Sequence, residues 1–272
     1  MTKSSPYYYV TVGTNEEFLD TYSSRAIMSL INTGVCCEDI HFVGGSNSDV
    51  KFIKKHIGKK NINYHIVKED LSNVKWKYSK GKRKYSLFKA AALYKAFTNP
   101  IKSRHMVYFD GDVLWYEDPR EFFDSKNKKT WFHHGKDLAK RSKKKASDID
   151  IKSFKSLSKW CSAPMAHLMA KYGIGILPER EVVAGLYMLH NRDHSKVLKL
   201  TYDGCLENSK KFKNHEGGGD QKPMNAALNI LNIDWHGGSR FFCPDHVRYF
   251  DHFFGKDNMK GRFLKKAKSI GL

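Results

Sequence analysis

A short apolar run at residues 106–109 ends abruptly in Asp110-Gly111-Asp112. Such a run of apolar and aromatic residues is typical of a strand that is buried on both faces of a sheet. In open α/β sheets ligands bind at the carboxyl ends of such strands, and two ionised carboxylates placed there need partners. With Gly111 allowing a sharp turn, the pair suits a hard divalent cation that also holds a substrate's phosphates. An isolated Asp-Gly-Asp is better explained as an Asp-capped turn, so the metal interpretation depends on the preceding strand and on motifs further along the chain.

Strands and helices alternate in the first part of the chain. The apolar patterns predict strands at residues 7–12, 39–43 and 62–67, a helix after Thr14 and another at 46–57. Thr14 followed by Glu17 matches a capping box. This order with short connections predicts an α/β fold with a doubly wound parallel sheet. The first strand-to-helix turn lacks a Gly-x-Gly-x-x-Gly fingerprint, but the amide of Gly13 and the hydroxyls of Thr11 and Thr14 could still hold a nucleotide.

The middle of the chain is more polar. We predict a loop at 71–84, a helix at 85–97, a short helix at 119–123, a strand at 129–132 and an exposed loop at 133–145. Lys89 lies on the helix that would pack beside the acidic motif, where a lysine could meet a diphosphate. His133 and His134 could ligate a metal, although adjacent histidines in a loop more often do not. The lysines of this loop are candidates for contact with an anionic acceptor.

The last part of the chain returns to regular patterns. They predict a helix at 149–172 broken at Pro164, a strand at 181–190, a helix at 194–206 and a helix from 220 to 231. Gly185 inside the strand indicates close approach of the backbone to a ligand or to a neighbouring strand. Asp220 follows three consecutive glycines and, taken alone, is an ordinary helix N-cap.

Composition limits the class of protein. With 272 residues and 40% apolar content the chain can form one globular domain with a substantial core. No stretch is apolar enough to span a bilayer, and the first residues contain no apolar signal core.

Five cysteines without zinc-like spacing predict reduced thiols and favour a cytoplasmic location. The net charge of +20 fits an acidic acceptor. Nucleic acid is disfavoured because no aromatic residues are interleaved in the basic runs.

Three further motifs follow the acidic one in order. They are Val183-Ala184-Gly185-Leu186, Asp220-Gln221 with Asn225, and His252-Phe253-Phe254-Gly255. Together with the segment from Val107 to Asp112, they resemble the motifs of nucleotide-sugar-dependent glycosyltransferases of the GT-A fold. The closest resemblance is to the retaining group that includes glycogenin and bacterial galactosyltransferases. It covers residues 9–260 and implies an α/β, Rossmann-like GT-A fold with a mixed, mainly parallel central sheet flanked by helices. The single domain would have a nucleotide-binding half at about 1–115 and a half for donor sugar and acceptor at about 116–272.

The resemblance also implies roles for the matching residues. Asp110, Asp112 and His252 would bind Mn²⁺ or Mg²⁺, and the imidazole ligand favours Mn²⁺. Asp220 would bind the donor sugar, and Gln221 would stabilise the transition state. The other implied contacts with the donor come from the backbone at Gly111, Gly185 and Gly255 and from the side chains of Lys89, Lys256 and Lys260.

The sequence departs from the family pattern at two places. Val183 stands where the family often has Asn, which removes one polar contact near the donor sugar. Asn258-Met259-Lys260 replaces the usual Lys-Pro-aromatic ending, so either Lys256 or Lys260 is the candidate for the phosphate contact. These departures leave the identity of the sugar and the diphosphate contacts open.

The activity implied is the transfer of a hexosyl or pentosyl group from a UDP- or GDP-sugar to a protein or glycan acceptor, with retention of configuration. An inverting enzyme would need a carboxylate base, for which Glu181 or Asp220 could serve. Similar compact, lysine-rich enzymes glycosylate the capsid proteins of large DNA viruses, in the host cytoplasm.

Two alternatives to a glycosyltransferase stay open. The first is a metal-dependent nucleotidyltransferase or nuclease, which is disfavoured because the sequence has no further acidic cluster. The second is an inactive basic binding module, which is disfavoured because all three expected metal ligands are present.

Overall fold

The structure is a computed structural model, and it describes residues 5–58, 60–69, 82–99, 101, 104–126, 129–137, 163–175, 178, 180–211, 219–239, 246–253 and 258–272.

Seven strands form one mixed central sheet. They are β1 (Tyr7–Val12), β2 (Ile40–Gly44), β3 (Asn63–Ile66), β4 (His105–Phe109), β6 (Trp131–Asp137), β7 (Arg180–Leu189) and β8 (His236–Ser239). Their order is β3-β2-β1-β4-β7-β6-β8. β1 is parallel to β2 and β4, and parallel pairs also join β2 to β3 and β6 to β8. Only β7 runs against its neighbours, β4 and β6, so the predicted α/β fold with a mainly parallel sheet is confirmed.

Helices connect and flank these strands. They are α1 (Glu16–Phe18), α2 (Ser24–Asn32), α3 (Asn47–Ile57), α4 (Lys82–Ala96), α5 (Pro119–Ser125), α6 (Ala163–Lys171), α7 (His194–Lys211), α8 (Gln221–Ile230), α9 (His246–Tyr249) and α10 (Met259–Ser269). A π-helical turn, Leu19–Ser23, joins α1 to α2, and a 3₁₀ turn, Cys37–Asp39, precedes β2.

The sheet is covered on both faces, as the continuous apolar runs of its strands require. All six residues of β1 are buried. Tyr7 and Tyr9 belong to a core with residues of α2 and α3, whereas Tyr8 and Val10 belong to a second core with residues of α4, α7 and α8. Alternation along one strand therefore divides the apolar core between the two faces.

A small second sheet lies where the acidic motif ends. β5 (Val113–Trp115) pairs antiparallel with β9 (Phe250–His252), and His252 is opposite Val113. The backbone amide of Phe253 also donates to the carbonyl of Asp112 at 2.9 Å. This pairing brings residues separated by about 140 positions in the chain to the end of β4.

Two helix starts differ from the prediction. The capping box at Thr14 is wrong: Asn15 is the N-cap, and its side-chain oxygen accepts from the amide of Glu17 at 3.0 Å. Asn15 has a φ of 76°, a left-handed conformation that Asn tolerates better than Thr. Helix α4 begins at Lys82, inside the predicted loop 71–84, because lysine and arginine are good helix formers and allow the helix to start before its first apolar residue. Residues 71–81 lie outside the described residues.

The predicted start of the exposed loop, at residue 133, is also wrong. Strand β6 continues to Asp137, paired with β7 on one side and β8 on the other, and His133 is buried within it. A shift of register between Phe132 and His134 interrupts the alternation that would have indicated a longer strand. Residues 138–145 lie outside the described residues.

The break expected at Pro164 coincides with the first described turn of α6, which begins at Ala163. Pro164 lies in the first turn of α6, where the missing amide hydrogen removes no helical hydrogen bond. The earlier part of the predicted helix, 149–162, lies outside the described residues. Helix α7 is five residues longer than predicted, ending at Lys211 rather than at 206.

Candidate active site

Asp110 and Asp112 flank a tight turn between β4 and β5. The amide of Asp110 donates to the carbonyl of Gly185 on β7 at 2.7 Å, and the amide of Val113 donates back to the carbonyl of Asp110 at 3.2 Å. Gly111 is required for close packing rather than for a left-handed turn, because a Cβ there would lie 2.9 Å from Oγ of Ser23. The π-helical turn that contains Ser23 thus packs directly against the acidic motif.

Asp110, Asp112 and His252 converge into one cluster. One ligand atom from each side chain lies within 4.8 Å of those of the other two. Nε2 of His252 is 3.4 Å from Oδ1 of Asp112. Carboxylate oxygens and an imidazole nitrogen at this spacing form a donor set suited to Mn²⁺.

Two observations support the binding of a cation by Asp110, Asp112 and His252. Oδ1 of Asp112 is buried and, within the described residues, has no hydrogen-bond partner. A Cβ at Gly185 would lie 2.4 Å from Cε1 of His252 and 3.1 Å from Oδ2 of Asp110. Only glycine at this position of β7 leaves room for the imidazole and the carboxylate to face one another, which agrees with the close approach predicted for Gly185.

Lys89 on α4 is buried between two carboxylates. Its Nζ lies 2.8 Å from Oδ2 of Asp220 and 3.3 Å from Oδ1 of Asp110, and donates to the carbonyl of Ala184 at 2.8 Å. Burial pulls the pKa of Lys89 down, but the two carboxylates outweigh it and hold that pKa above its usual value. The ammonium therefore stays charged, and it has three polar contacts within the protein.

The carboxylates of this cluster outnumber their cation. Desolvation raises the pKa of Asp110, against the lowering by Lys89, and Asp112 raises it further. Burial likewise raises the pKa of Asp220. The hydroxyl of Tyr108 donates to Oδ1 of Asp110. With all three carboxylates ionised and one ammonium, the cluster has an excess of two negative charges, which a divalent cation would balance.

Asp220 and Gln221 begin helix α8 beside this cluster. Asp220 occupies the N-cap position, but its side chain makes no capping hydrogen bond and is paired with Lys89 instead. Nε2 of Gln221 is 3.4 Å from Oε1 of Glu181 on β7. Asn225 fixes the helix on β7, accepting from the amide of Val182 at 2.7 Å and donating to its carbonyl at 3.0 Å. Strand β7 thus positions both the start of α8 and the metal-ligand cluster.

Comparison with known proteins gives structural matches only. No protein-family model matches the sequence, and no curated protein matches it. Galactosyltransferase LgtC, solved in complex with donor and acceptor sugar analogs, superposes with a TM-score of 0.52 at 15% sequence identity, over 97% of this chain and 96% of that chain. The protein has the GT-A fold.

Two other glycosyltransferases match over most of the chain with lower TM-scores. Mouse xyloside xylosyltransferase 1 has a TM-score of 0.45 at 12% identity, over 93% of this chain and 96% of that one. Core-mannan synthase A from Aspergillus fumigatus, in a form with Mn and GDP, has a TM-score of 0.43 at 12% identity, over 92% of this chain and 75% of that one. The comparisons give no support to the viral resemblance.

The residues expected to hold the nucleotide lie at the end of β1 in this GT-A fold. Thr11 is fully buried, and its hydroxyl has no hydrogen-bond partner among the described residues. A Cβ at Gly13 would lie 2.6 Å from Cδ2 of Leu19, so this glycine packs against the same π-helical turn as Gly111. Thr14 is only partly buried. The hydroxyl of Tyr85 donates to the carbonyl of Val12 at 2.8 Å and ties α4 to this end of β1.

The lysines expected to bind the phosphates differ in their exposure to solvent. Lys260 is exposed at the start of α10, and its Nζ contacts Oε1 of Glu17 at 2.9 Å. Lys89 is enclosed by its two carboxylates, so contact with a diphosphate would require one of these pairs to open. Gly255 and Lys256 lie outside the described residues.

Several contacts at the candidate site were not recognised in the sequence. Tyr108 precedes Asp110 by two residues and shares its side of β4, so strand alternation could have indicated it. The sequence allows His133 as a metal ligand, but the wrong loop prediction did not indicate that its Nδ1 lies 3.3 Å from Nδ1 of His252. Lys222 forms a buried ion pair with Glu181, which had been considered only as a base. No local pattern joins two residues that are 41 positions apart.

No described helix combines the length and the apolarity needed to cross a bilayer.

Proposed function

We propose that this protein is a metal-dependent glycosyltransferase that moves a sugar from a nucleoside-diphosphate sugar to a protein or glycan acceptor. The observation that carries the proposal is the convergence of Asp110, Asp112 and His252 at the end of β4, in a fold shared with LgtC. LgtC is a galactosyltransferase solved with donor and acceptor sugar analogs. The nucleotide-binding half is proposed at about residues 1–115 and the half for sugar and acceptor at about 116–272.

The three ligands would hold Mn²⁺ or Mg²⁺. When bound, the ion would neutralise the diphosphate and make it a better leaving group. A hydrogen bond donated by Nδ1 of His252 to Nδ1 of His133 would leave Nε2 of His252 unprotonated as the ligand atom and would fix the plane of its ring. Asp112 would supply Oδ1, which has no hydrogen-bond partner among the described residues.

Lys89 and Asp220 would act on the donor sugar together. The ion pair holds the Asp220 carboxylate in a single orientation, in which it can accept hydrogen bonds from sugar hydroxyls. The same lysine fixes Asp110, so the sugar-binding and metal-binding carboxylates are positioned by one buried charge. Such preorganisation is the main contribution a protein makes to this kind of group transfer.

Retention of configuration is the outcome we propose. An inverting enzyme needs a carboxylate base that can accept a proton from the acceptor. Glu181 is 1% exposed and paired with Lys222, and Asp220 is paired with Lys89. Neither candidate base is available, whereas Gln221 is only partly buried at the start of α8.

Release of nucleoside diphosphate tests the proposal. Purified protein is incubated with Mn²⁺ and, separately, UDP-galactose, UDP-glucose, UDP-xylose or GDP-mannose. We expect slow release of the diphosphate from one of them, and loss of at least about 100-fold in the Asp112→Asn variant. Asp203→Asn is the matched control, because Asp203 is exposed on α7. No release from any donor, or equal release by Asp112→Asn, would contradict the proposal.

A further inference from the structure

Glu181 and Lys222 form a buried ion pair next to Gln221. The two residues are 1% and 3% exposed, and Nζ of Lys222 contacts Oε2 of Glu181. Lys222 lies in the first turn of α8, where the helix dipole disfavours a cation, and this turn contains no acidic residue. The charge of Lys222 is therefore balanced from β7 and not from its own helix.

Helix α8 has a second attachment to β7 besides this ion pair. Asn225 makes two hydrogen bonds to the backbone of Val182, at 2.7 and 3.0 Å. Replacing a buried ion pair by apolar side chains of similar size is often neutral or stabilising, so a buried pair is weak evidence of a role in stability. Besides Lys222, the carboxylate of Glu181 contacts Gln221.

We propose that Glu181 is a positioning residue that fixes the side-chain amide of Gln221 in one orientation. Lys222 engages Oε2 of Glu181, which leaves Oε1 to face Nε2 of Gln221 at 3.4 Å. A carboxylate paired with an ammonium can only accept hydrogen bonds, so the amide must turn its NH₂ group towards Glu181. Its carbonyl oxygen then points away from Glu181.

This orientation gives Gln221 a defined chemical role, and the role rests on the proposed function. Positive charge develops on the anomeric carbon as the bond to the diphosphate breaks, and an amide oxygen can stabilise it. A flipped amide would present NH₂ hydrogens and repel that charge. Glu181 therefore acts through Gln221 and need not contact the substrate.

A double-mutant cycle separates positioning from a structural role. Glu181→Gln combined with Lys222→Met removes the pair without leaving an unpaired buried charge, and glutamine at 181 can face either end of the Gln221 amide. This double substitution, Glu181→Gln with Lys222→Met, is called the neutral pair. It is made in the wild-type chain and in Gln221→Ala. The readout is release of nucleoside diphosphate from whichever of UDP-galactose, UDP-glucose, UDP-xylose or GDP-mannose the wild type cleaves fastest.

The neutral pair should lower kcat by about tenfold or more in the wild-type background, with KM for the donor changed by less than about twofold. In the Gln221→Ala background it should change kcat by less than about twofold, because the residue through which Glu181 acts is gone. Equal losses in both backgrounds would overturn the positioning role and leave a structural one.

An NMR measurement keeps this inference separate from the proposed function. The Gln221 side-chain amide signals are identified by their disappearance in Gln221→Ala. We expect one amide proton shifted downfield in the wild type, and the shift lost in the neutral pair. An unshifted amide in a wild type that cleaves its donor would overturn the positioning role alone. A wild type that cleaves no donor would overturn the proposed function and with it the catalytic part of this inference.

Discussion

Nζ of Lys89 lies 2.8 Å from Oδ2 of Asp220, and the same ammonium is 3.3 Å from Oδ1 of Asp110. One buried charge therefore joins a candidate metal ligand at the end of β4 to the start of helix α8. The Lys89 side chain is 6% exposed, so solvent screens these interactions very little. The two halves of the candidate site are coupled electrostatically, and a change at one should be felt at the other.

Removing the Lys89 charge should destabilise the protein strongly. Lys89→Met leaves two carboxylates beside each other without their cation, and we expect a loss of about 3–5 kcal/mol in the free energy of unfolding, the range for breaking a buried pair. Urea unfolding in EDTA measures it. Lys89→Met combined with Asp220→Asn removes one carboxylate as well and should recover part of the loss. An unchanged urea midpoint for Lys89→Met would refute the coupling.

Gly185→Ala should damage the metal site. The new Cβ would lie 2.4 Å from Cε1 of His252, so the imidazole must move and Mn²⁺ affinity should fall by at least about tenfold. Gly175→Ala is the matched control, because a Cβ at Gly175 has nothing within 4 Å. Titration calorimetry with Mn²⁺ measures both variants. Equal Mn²⁺ affinity in the two variants would show that Gly185 is not needed for the site.

Acid should destabilise the protein through His41. Burial, then His65 and Arg104, lower the pKa of His41 from 6.5 to about 3. The folded state holds His41 neutral, so this contribution to stability is fully present above pH 6.5 and is lost progressively as the pH falls towards 3. At pH 5 the loss is about 2 kcal/mol.

The His41→Phe variant checks this contribution. Phenylalanine keeps the packing against the rings of Tyr8 and Phe97 but cannot take up a proton. Urea unfolding at pH 7, 6 and 5 should show a steeper fall for the wild type than for the variant. Parallel profiles for the two proteins would mean that His41 does not titrate in this range.

The sequence was sufficient for strands β1 to β4 and β7 of the sheet and for the main candidate ligands. Strand β1 and the end of β4 are continuous apolar runs, whose period is set locally by the backbone. Asp110 and Asp112 are recognisable because a buried strand that ends in two acids has few structural explanations. His252 could be linked to them only through the order of motifs in a known family, since the pairing of β9 with β5 is a long-range contact.

Other features were not predictable because they arise from tertiary contacts. The burial of the Lys89 ammonium between Asp110, Asp220 and the carbonyl of Ala184 depends on α4, β4, β7 and α8 meeting at one point. The pairing of Glu181 with Lys222 likewise requires β7 and α8 to be adjacent. The extension of β6 through His133 depends on its partners β7 and β8, because its own pattern is broken by a register shift.

The central claim is that Asp110, Asp112 and His252 bind a divalent metal together with a nucleoside diphosphate. Its most direct test is a thermal-shift experiment with UDP, GDP and CDP, each with and without Mn²⁺, on the wild type and on Asp112→Asn. A ligand at a hundredfold excess over its Kd stabilises a protein by about 2.7 kcal/mol, which is worth roughly 5 °C or more in Tm for a chain of this size. We predict such a shift in the wild type for one nucleotide, only with Mn²⁺, and none in Asp112→Asn. A wild type that responds to no nucleotide, or responds equally without Mn²⁺, would contradict the claim.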